Sequence, residues 1–229
     1  MLLQLEAVES GSWNRPVTLQ IDFGETVLLL GRNGAGKTTL LNTIAGLLPV
    51  RSGRLLIDGR VFSSSENRQG AAAVRIALEG RQVFGRLSVR KNLLLGAFAR
   101  KQTTEIAKDL KWILEIFPDL SQKLELPAKT LSGGQQTMLN IGRALMGRPK
   151  LLLLDEPTLG LAPQSVNKLV QTVDEIRSHR QVAIIVAEQG GAFPRAFPQR
   201  ILLMVGGEIL FDGHWEHGLK NGVLSEVFV

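Results

Sequence analysis

The sequence predicts an α/β fold organised around a parallel β-sheet, and three observations carry the prediction. Residues 27–30 and 151–154 are unbroken apolar runs, short enough to be strands and apolar enough to be buried on both faces. The first run passes directly into a glycine-rich turn and then into a segment with helical spacing. From residue 133 to 186, helical and strand patterns alternate in the order that a parallel sheet with crossover helices requires.

Taken in order, apolar alternation over residues 2–8 and 17–21 predicts two short strands ahead of the buried strand at 27–30. Residues 38–48 have helical spacing, which Pro49 and Gly53 are expected to break. Residues 54–57 read as a strand entering a tight turn at Asp58-Gly59. Residues 63–70 are the best loop candidate, and 74–78 read as another strand. Helical spacing at 89–99 and 104–117, joined by a polar connection, predicts an insertion of two helices. A helix starting near Gly133, a strand at 151–154, a helix over 163–178 and a strand at 182–186 follow. Runs at 201–205 and 208–211, separated by Gly206-Gly207, predict a terminal hairpin. No internal repeat or low-complexity segment interrupts the chain.

Composition sets limits on function. Hydrophobic residues make up 44% of the 229 and charged residues 21%, a balance that lets a soluble globular chain bury one large domain. No apolar run approaches the roughly 18 residues needed to cross a bilayer. The first six residues carry no basic stretch ahead of a long apolar core. They read as a strand and not as a secretion signal, and a cytosolic location is the default expectation. The absence of cysteine excludes disulfides and thiolate metal sites. A net charge of +6 invites a nucleic-acid reading, but the basic residues are dispersed and no aromatics interleave them. They read better as a solvated basic face, suited to lie near anionic headgroups.

Two motifs carry chemistry. Gly31-Arg32-Asn33-Gly34-Ala35-Gly36-Lys37-Thr38 fits G-x-x-x-x-G-K-[ST] and stands between a buried strand and a helix start. Its glycines let several N–H groups turn inward, and the helix adds its positive end, a geometry that suits a polyphosphate. Lys37 is expected to reach the β and γ phosphates and the Thr38 hydroxyl to ligate Mg²⁺, with Arg32, Asn33 and Thr39 along the loop. The competing reading is a flexible turn with an exposed lysine. The second motif is the strand at 151–154 ending in Asp155 and Glu156, where an open parallel sheet collects its ligand chemistry. Asp155 is expected to hold Mg²⁺ and Glu156 to orient and deprotonate an attacking water, since neighbouring strand residues point to opposite faces. The competing reading is a pair of solvated acids.

Between these motifs, Leu131-Ser132-Gly133-Gly134-Gln135-Gln136 resembles the ABC signature, and with it the whole chain resembles an ABC ATPase. The resemblance implies a P-loop NTPase fold in a single domain over 1–229. Residues 1–85 and 148–229 would form an N-terminal antiparallel β subdomain with a RecA-like parallel-sheet core, and 86–147 an inserted helical subdomain. It also implies ATP and Mg²⁺ as ligands. In the implied dimer, ATP lies between one subunit's loop and the other subunit's Ser132, Gly133, Gly134 and Gln135, a second helix-start anion site.

Glu79-Gly80-Arg81-Gln82-Val83-Phe84, Phe117-Pro118-Asp119-Leu120, Gly160-Leu161-Ala162-Pro163 and Glu188-Gln189 are similar to the ATPase subunits of branched-chain amino acid importers and their urea and amide relatives. Most of the wider family has glutamine where Glu79 stands, aspartate where Ala162 stands and histidine where Gln189 stands. The resemblance thereby assigns Glu79 to the metal and Gln189 to the attacking water. It leaves His179, His214 and His217 away from the switch position. Two features depart from the family. Residues 10–16 are shorter than the usual hairpin, and no tyrosine is present to stack on adenine. Trp13 either takes that role or covers the small β subdomain. The glycines after Gln189, with Phe193-Pro194 and Phe197-Pro198, predict an irregular following helix.

The partners implied are a second ABC ATPase subunit, identical or homologous, transmembrane permease subunits docked around 79–95, and indirectly a solute-binding protein. The implied location is peripheral, on the cytoplasmic face of the cell membrane. A soluble ABC ATPase acting on nucleic acid or ribosomes is the alternative, but paired cassettes, a coiled-coil insertion and a basic arm are all missing from the sequence. Intact Lys37, Asp155 and Glu156 argue against a non-hydrolysing regulatory subunit.

Overall fold

Every residue of β3 (Thr26–Leu30), β7 (Leu151–Asp155) and β8 (Ala183–Glu188) is buried, as unbroken apolar runs require. Their side chains divide between two cores because successive strand residues point to opposite faces. Leu28, Leu30, Leu152 and Leu154 enter one core, and Val27, Leu29, Leu151 and Leu153 the other. These strands belong to a six-stranded sheet of order β10-β9-β3-β8-β7-β6, completed by β6 (Val74–Ala77), β9 (Arg200–Val205) and β10 (Glu208–His214). All its pairings are parallel except that of β9 with the edge strand β10. The coordinates are a computed structural model that describes residues 1–11, 15–62, 73–80, 82–189, 200–220 and 222.

A four-stranded antiparallel sheet of order β2-β1-β4-β5 comprises β1 (Leu3–Ser10), β2 (Val17–Ile21), β4 (Val50–Ile57) and β5 (Arg60–Val61). Its inward residues Leu3, Leu5, Leu19 and Leu55 share the second core with Leu40, Leu41 and Ile44 of α1 (Lys37–Ile44). The first core receives α2 (Val89–Gly96), α3 (Thr103–Ile116), α4 (Pro118–Ser121), α5 (Gly133–Leu145) and α6 (Pro163–Arg180). Among the described residues no helix is long and apolar enough to cross a membrane.

Helix α3 buries a charge as well as an apolar stripe. The Asp109 side chain is 1% exposed and pairs with Arg148 Nε at 2.7 Å, Arg100 Nη2 at 2.7 Å and Arg180 Nη2 at 2.6 Å. Arg180 also lies 4.2 Å over Trp112, which stacks on His179 at 5.5 Å. Burial alone would raise the Asp109 pKa, but bonds from Arg148, Arg180 and Arg100 outweigh it and hold the carboxyl below its ordinary range. The cluster ties α3 to the segments that follow α2 and α5 and to the end of α6.

Three expectations need correction. Helix α1 stops at Ile44, not near residue 48, because the Leu47 and Leu48 N–H groups turn back to the Asn42 carbonyl. Gly53 is not what breaks that helix, which has already ended at Ile44. It lies within β4 against a bulge in β1, where a Cβ would sit 2.2 Å from the Ala7 carbonyl oxygen. A short helix, α7 (Trp215–Lys220), follows the terminal hairpin without having been anticipated. The loop candidate at 63–70, the segment after Gln189 and Trp13 all lie outside the described residues.

Candidate active site

Strands β3, β8 and β7 are neighbours, so their carboxyl ends deliver three chemistry-bearing segments to one edge of the sheet. Leu30 pairs with Glu188, and Asp155 pairs with Ala187, which sets the glycine-rich loop, residues 188–189 and the acidic pair in register.

The loop turns into α1 at Gly36, whose φ of 106° is left-handed and open to glycine. Among the described residues no side chain caps this helix start, so its N–H groups are open to a ligand. Lys37 is not the exposed lysine of the competing reading. It is 4% exposed, and its Nζ donates to the Gly31 carbonyl at 2.7 Å and the Arg32 carbonyl at 3.4 Å. The same Nζ lies 3.2 Å from Glu156 Oε1.

Thr38 Oγ1 donates to Asp155 Oδ1 at 3.2 Å. The other carboxyl oxygen of Asp155 is buried and makes no hydrogen bond among the described residues. Burial pushes the Asp155 pKa up, Thr38 opposes it, and the charges of Glu156 and Glu79 add to it. An orphaned carboxylate oxygen beside a hydroxyl is a hard-oxygen pair that fits Mg²⁺, an ion that takes few protein ligands and fills its shell with water and phosphate.

Glu156 separates from Asp155 in a way that strand alternation does not explain. β7 ends at Asp155, and Glu156 has a φ of 44°, a left-handed conformation that costs a non-glycine residue about 1–2 kcal/mol. Its N–H donates to the Ala187 carbonyl at 2.9 Å, and its carbonyl accepts the Leu159 N–H at 3.1 Å. This turn brings the carboxylate to Lys37 while Asp155 stays buried.

Residues 33–39, Glu79 and Glu156 line a cleft of about 570 Å³, within the range of small-molecule sites. Gly31 and Arg32 contribute carbonyls to Lys37 and do not line the cleft. Arg15, Gly206 and Gly207 also line the cleft, and sequence reasoning missed all three. The Gly207 N–H donates to the Ala35 carbonyl at 2.8 Å, so the β9–β10 turn braces the loop. Arg15 forms an ion pair with Glu208. The segment carrying Glu79 is held from α5, where Asn140 Nδ2 donates to the Leu78 carbonyl at 3.1 Å and Arg143 Nη2 to the Gln82 carbonyl at 2.7 Å.

Two sets of expected residues stand apart from the cleft. Gln189 follows β8 directly and is exposed, but it does not line the cleft among the described residues. Residues 132–135 open α5 with a capping box. The Gln135 N–H donates to Ser132 Oγ at 3.4 Å, and the Ser132 N–H donates to Gln135 Oε1 at 3.1 Å. They do not line this chain's cleft either.

Glu188 is 4% exposed, and its Oε1 accepts both the Thr158 N–H at 3.1 Å and the Thr158 hydroxyl at 2.8 Å. Burial pushes its pKa up to about 7, against the two Thr158 bonds and with the Glu156 charge adding to the rise.

A family model described as ABC transporter matches residues 14–159. The high-affinity branched-chain amino acid transport ATP-binding protein BraG of Pseudomonas aeruginosa is 40% identical, over 93% of this chain and 91% of that protein. The phosphonates import ATP-binding protein PhnC 2 of a Nostoc species is 32% identical, over 91% of this chain and 90% of that one. Among solved structures, cbiO1 of Clostridium perfringens, part of the ABC transporter complex cbiONQ, superposes with a TM-score of 0.84 at 26% identity. It covers 99% of this chain and 94% of that one. MJ1267, an ATP-binding cassette of an ABC transporter in its ADP conformation, gives 0.84 at 25%, covering 99% and 98%. The chain therefore belongs to the ABC transporter family, as one of its ATP-hydrolysing subunits.

Proposed function

We propose that the chain binds Mg-ATP in this cleft and hydrolyses it to drive an importer for branched-chain amino acids or related small solutes. The observation that carries the reading is the placement of Lys37, a buried cation shared between the loop carbonyls and Glu156. A triphosphate brings more negative charge to Lys37 than one carboxylate does, so its arrival draws the ammonium away and frees Glu156. Glu156 then takes a proton from water as the water oxygen bonds to the γ phosphorus. The β–γ bridging oxygen leaves with ADP, and phosphate is the second product. Thr38 and Asp155 would hold Mg²⁺, with Glu79 at the cleft edge. Bound there, the ion neutralises phosphate charge. Gln189 is the water-orienting residue in this reading, and Trp13 the adenine-stacking one.

In this reading a second ABC ATPase subunit, identical or homologous, supplies residues 132–135 to the bound nucleotide. Permease subunits dock at the cytoplasmic face of the membrane, and a solute-binding protein delivers the cargo. The BraG relative supports the amino acid assignment, whereas the phosphonate relatives support import without that solute. Proteoliposomes carrying the whole transporter and supplied with ATP should accumulate leucine. Accumulation of a phosphonate without leucine would overturn the solute assignment and leave the ATPase reading intact.

A further inference from the structure

We propose that Glu188 is a positioning residue for hydrolysis, whose buried carboxyl clamps the N–H and hydroxyl of Thr158 and so fixes the turn that presents Glu156 to the cleft. The proposal rests on the hydrolytic reading of Glu156 above.

The left-handed conformation of Glu156 needs external restraint, because nothing local favours it in a glutamate. The turn over residues 156–159 is closed by the Leu159 N–H on the Glu156 carbonyl. Its other ties come from the last two residues of β8. The Ala187 carbonyl accepts the Glu156 N–H at 2.9 Å, and Glu188 Oε1 accepts both donors of Thr158 at 3.1 and 2.8 Å. Glu188 is itself anchored to the phosphate loop. It pairs with Leu30, and its carbonyl accepts the Gly31 N–H at 3.3 Å. Glu188 therefore touches both the start of the loop, through its carbonyl, and the turn that carries Glu156, through its carboxyl.

The clamp needs an acceptor oxygen, not a negative charge. One carboxyl oxygen receives both bonds, and a glutamine amide oxygen has the same two lone pairs. Its elevated pKa agrees, since burial favours the uncharged acid and the uncharged acid still accepts. The rival role is a proton acceptor for Glu156, which a glutamine cannot fill.

The test measures ATP hydrolysis against ATP concentration by the full chain assembled with its membrane partner. Displacing a reacting group by about 1 Å costs on the order of 10²-fold. Glu188→Ala is therefore expected to lower kcat by about 10- to 100-fold, with KM for ATP held within about threefold. Glu188→Gln should recover most of that loss. Thr158→Val should lower kcat, and combining it with Glu188→Ala should cost no more than Glu188→Ala alone. Hydrogen exchange at the Thr158 amide should accelerate in Glu188→Ala and stay slow in Glu188→Gln. Glu188→Gln as inactive as Glu188→Ala, losses that multiply in the double variant, or an unchanged Thr158 amide in Glu188→Ala would each overturn the clamp. Glu156→Gln with parental turnover would instead overturn the hydrolytic reading, and the amide exchange would still decide the clamp on its own.

Discussion

Glu188→Gln should change how the stability of the nucleotide-free protein depends on pH. Burial raises the Glu188 pKa from the ordinary 4.5 to about 7 in the folded chain, although Thr158 bonds it. At about 1.4 kcal/mol per pKa unit, that rise corresponds to roughly 3 kcal/mol. The sign follows from proton uptake. A group whose pKa is higher in the folded state lends stability that is complete below about pH 4.5 and is lost as pH rises through about 7. Glutamine keeps the acceptor and removes the titration. Urea unfolding at pH 5 and pH 8 should show the parent losing roughly 2–3 kcal/mol more than Glu188→Gln across that interval, about 1 M in midpoint for an m-value of ~2–3 kcal/mol/M. Asp155, also pushed up by burial, titrates in both proteins and cancels in the difference. Parallel stability profiles would show that Glu188 does not carry a raised pKa in the folded chain.

Lys37→Ala should abolish productive Mg-ATP binding, which equilibrium binding would show, because the cleft loses the cation that meets the phosphates. Asp109→Asn should cost about 3–5 kcal/mol, since three guanidinium groups lose their shared buried carboxylate. Thermal unfolding would register that as a fall on the order of 10 °C. Gln189→His should add an ionisation near pH 6.5 to a turnover profile that otherwise shows none from this position, because glutamine does not titrate. Gln189→Ala should lower turnover more than ATP affinity.

What the sequence makes legible is what the physics keeps local. The strands at 27–30 and 151–154 are readable because burial on both faces demands contiguous apolar residues. The phosphate loop is readable because its function needs consecutive backbone groups. The separation of Asp155 from Glu156 was expected, but for the wrong reason. It depends on the φ of Glu156 and on the Ala187 carbonyl, which only the pairing of β7 with β8 brings near. The clamp joins Glu188 to Thr158 across 30 residues, and Arg15 pairs with Glu208 across 193. No local pattern encodes contacts of that kind. Gly206 and Gly207 read correctly as a hairpin turn, yet the bond from Gly207 to Ala35 follows from β9 lying beside β3. α7 escaped because six residues containing one histidine and a glycine have weak helical propensity.

Glu156 is proposed as the base for ATP hydrolysis in a cleft whose cradle binds the nucleotide. Glu156→Gln keeps the shape of the side chain and removes its basicity. Turnover and bound nucleotide are measured together, in the transporter assembled with its membrane partner. The expected result is a fall in turnover of about 10²- to 10⁴-fold with ATP still bound and the nucleotide-closed dimer accumulating. Turnover near the parental rate with ATP bound would contradict the assignment.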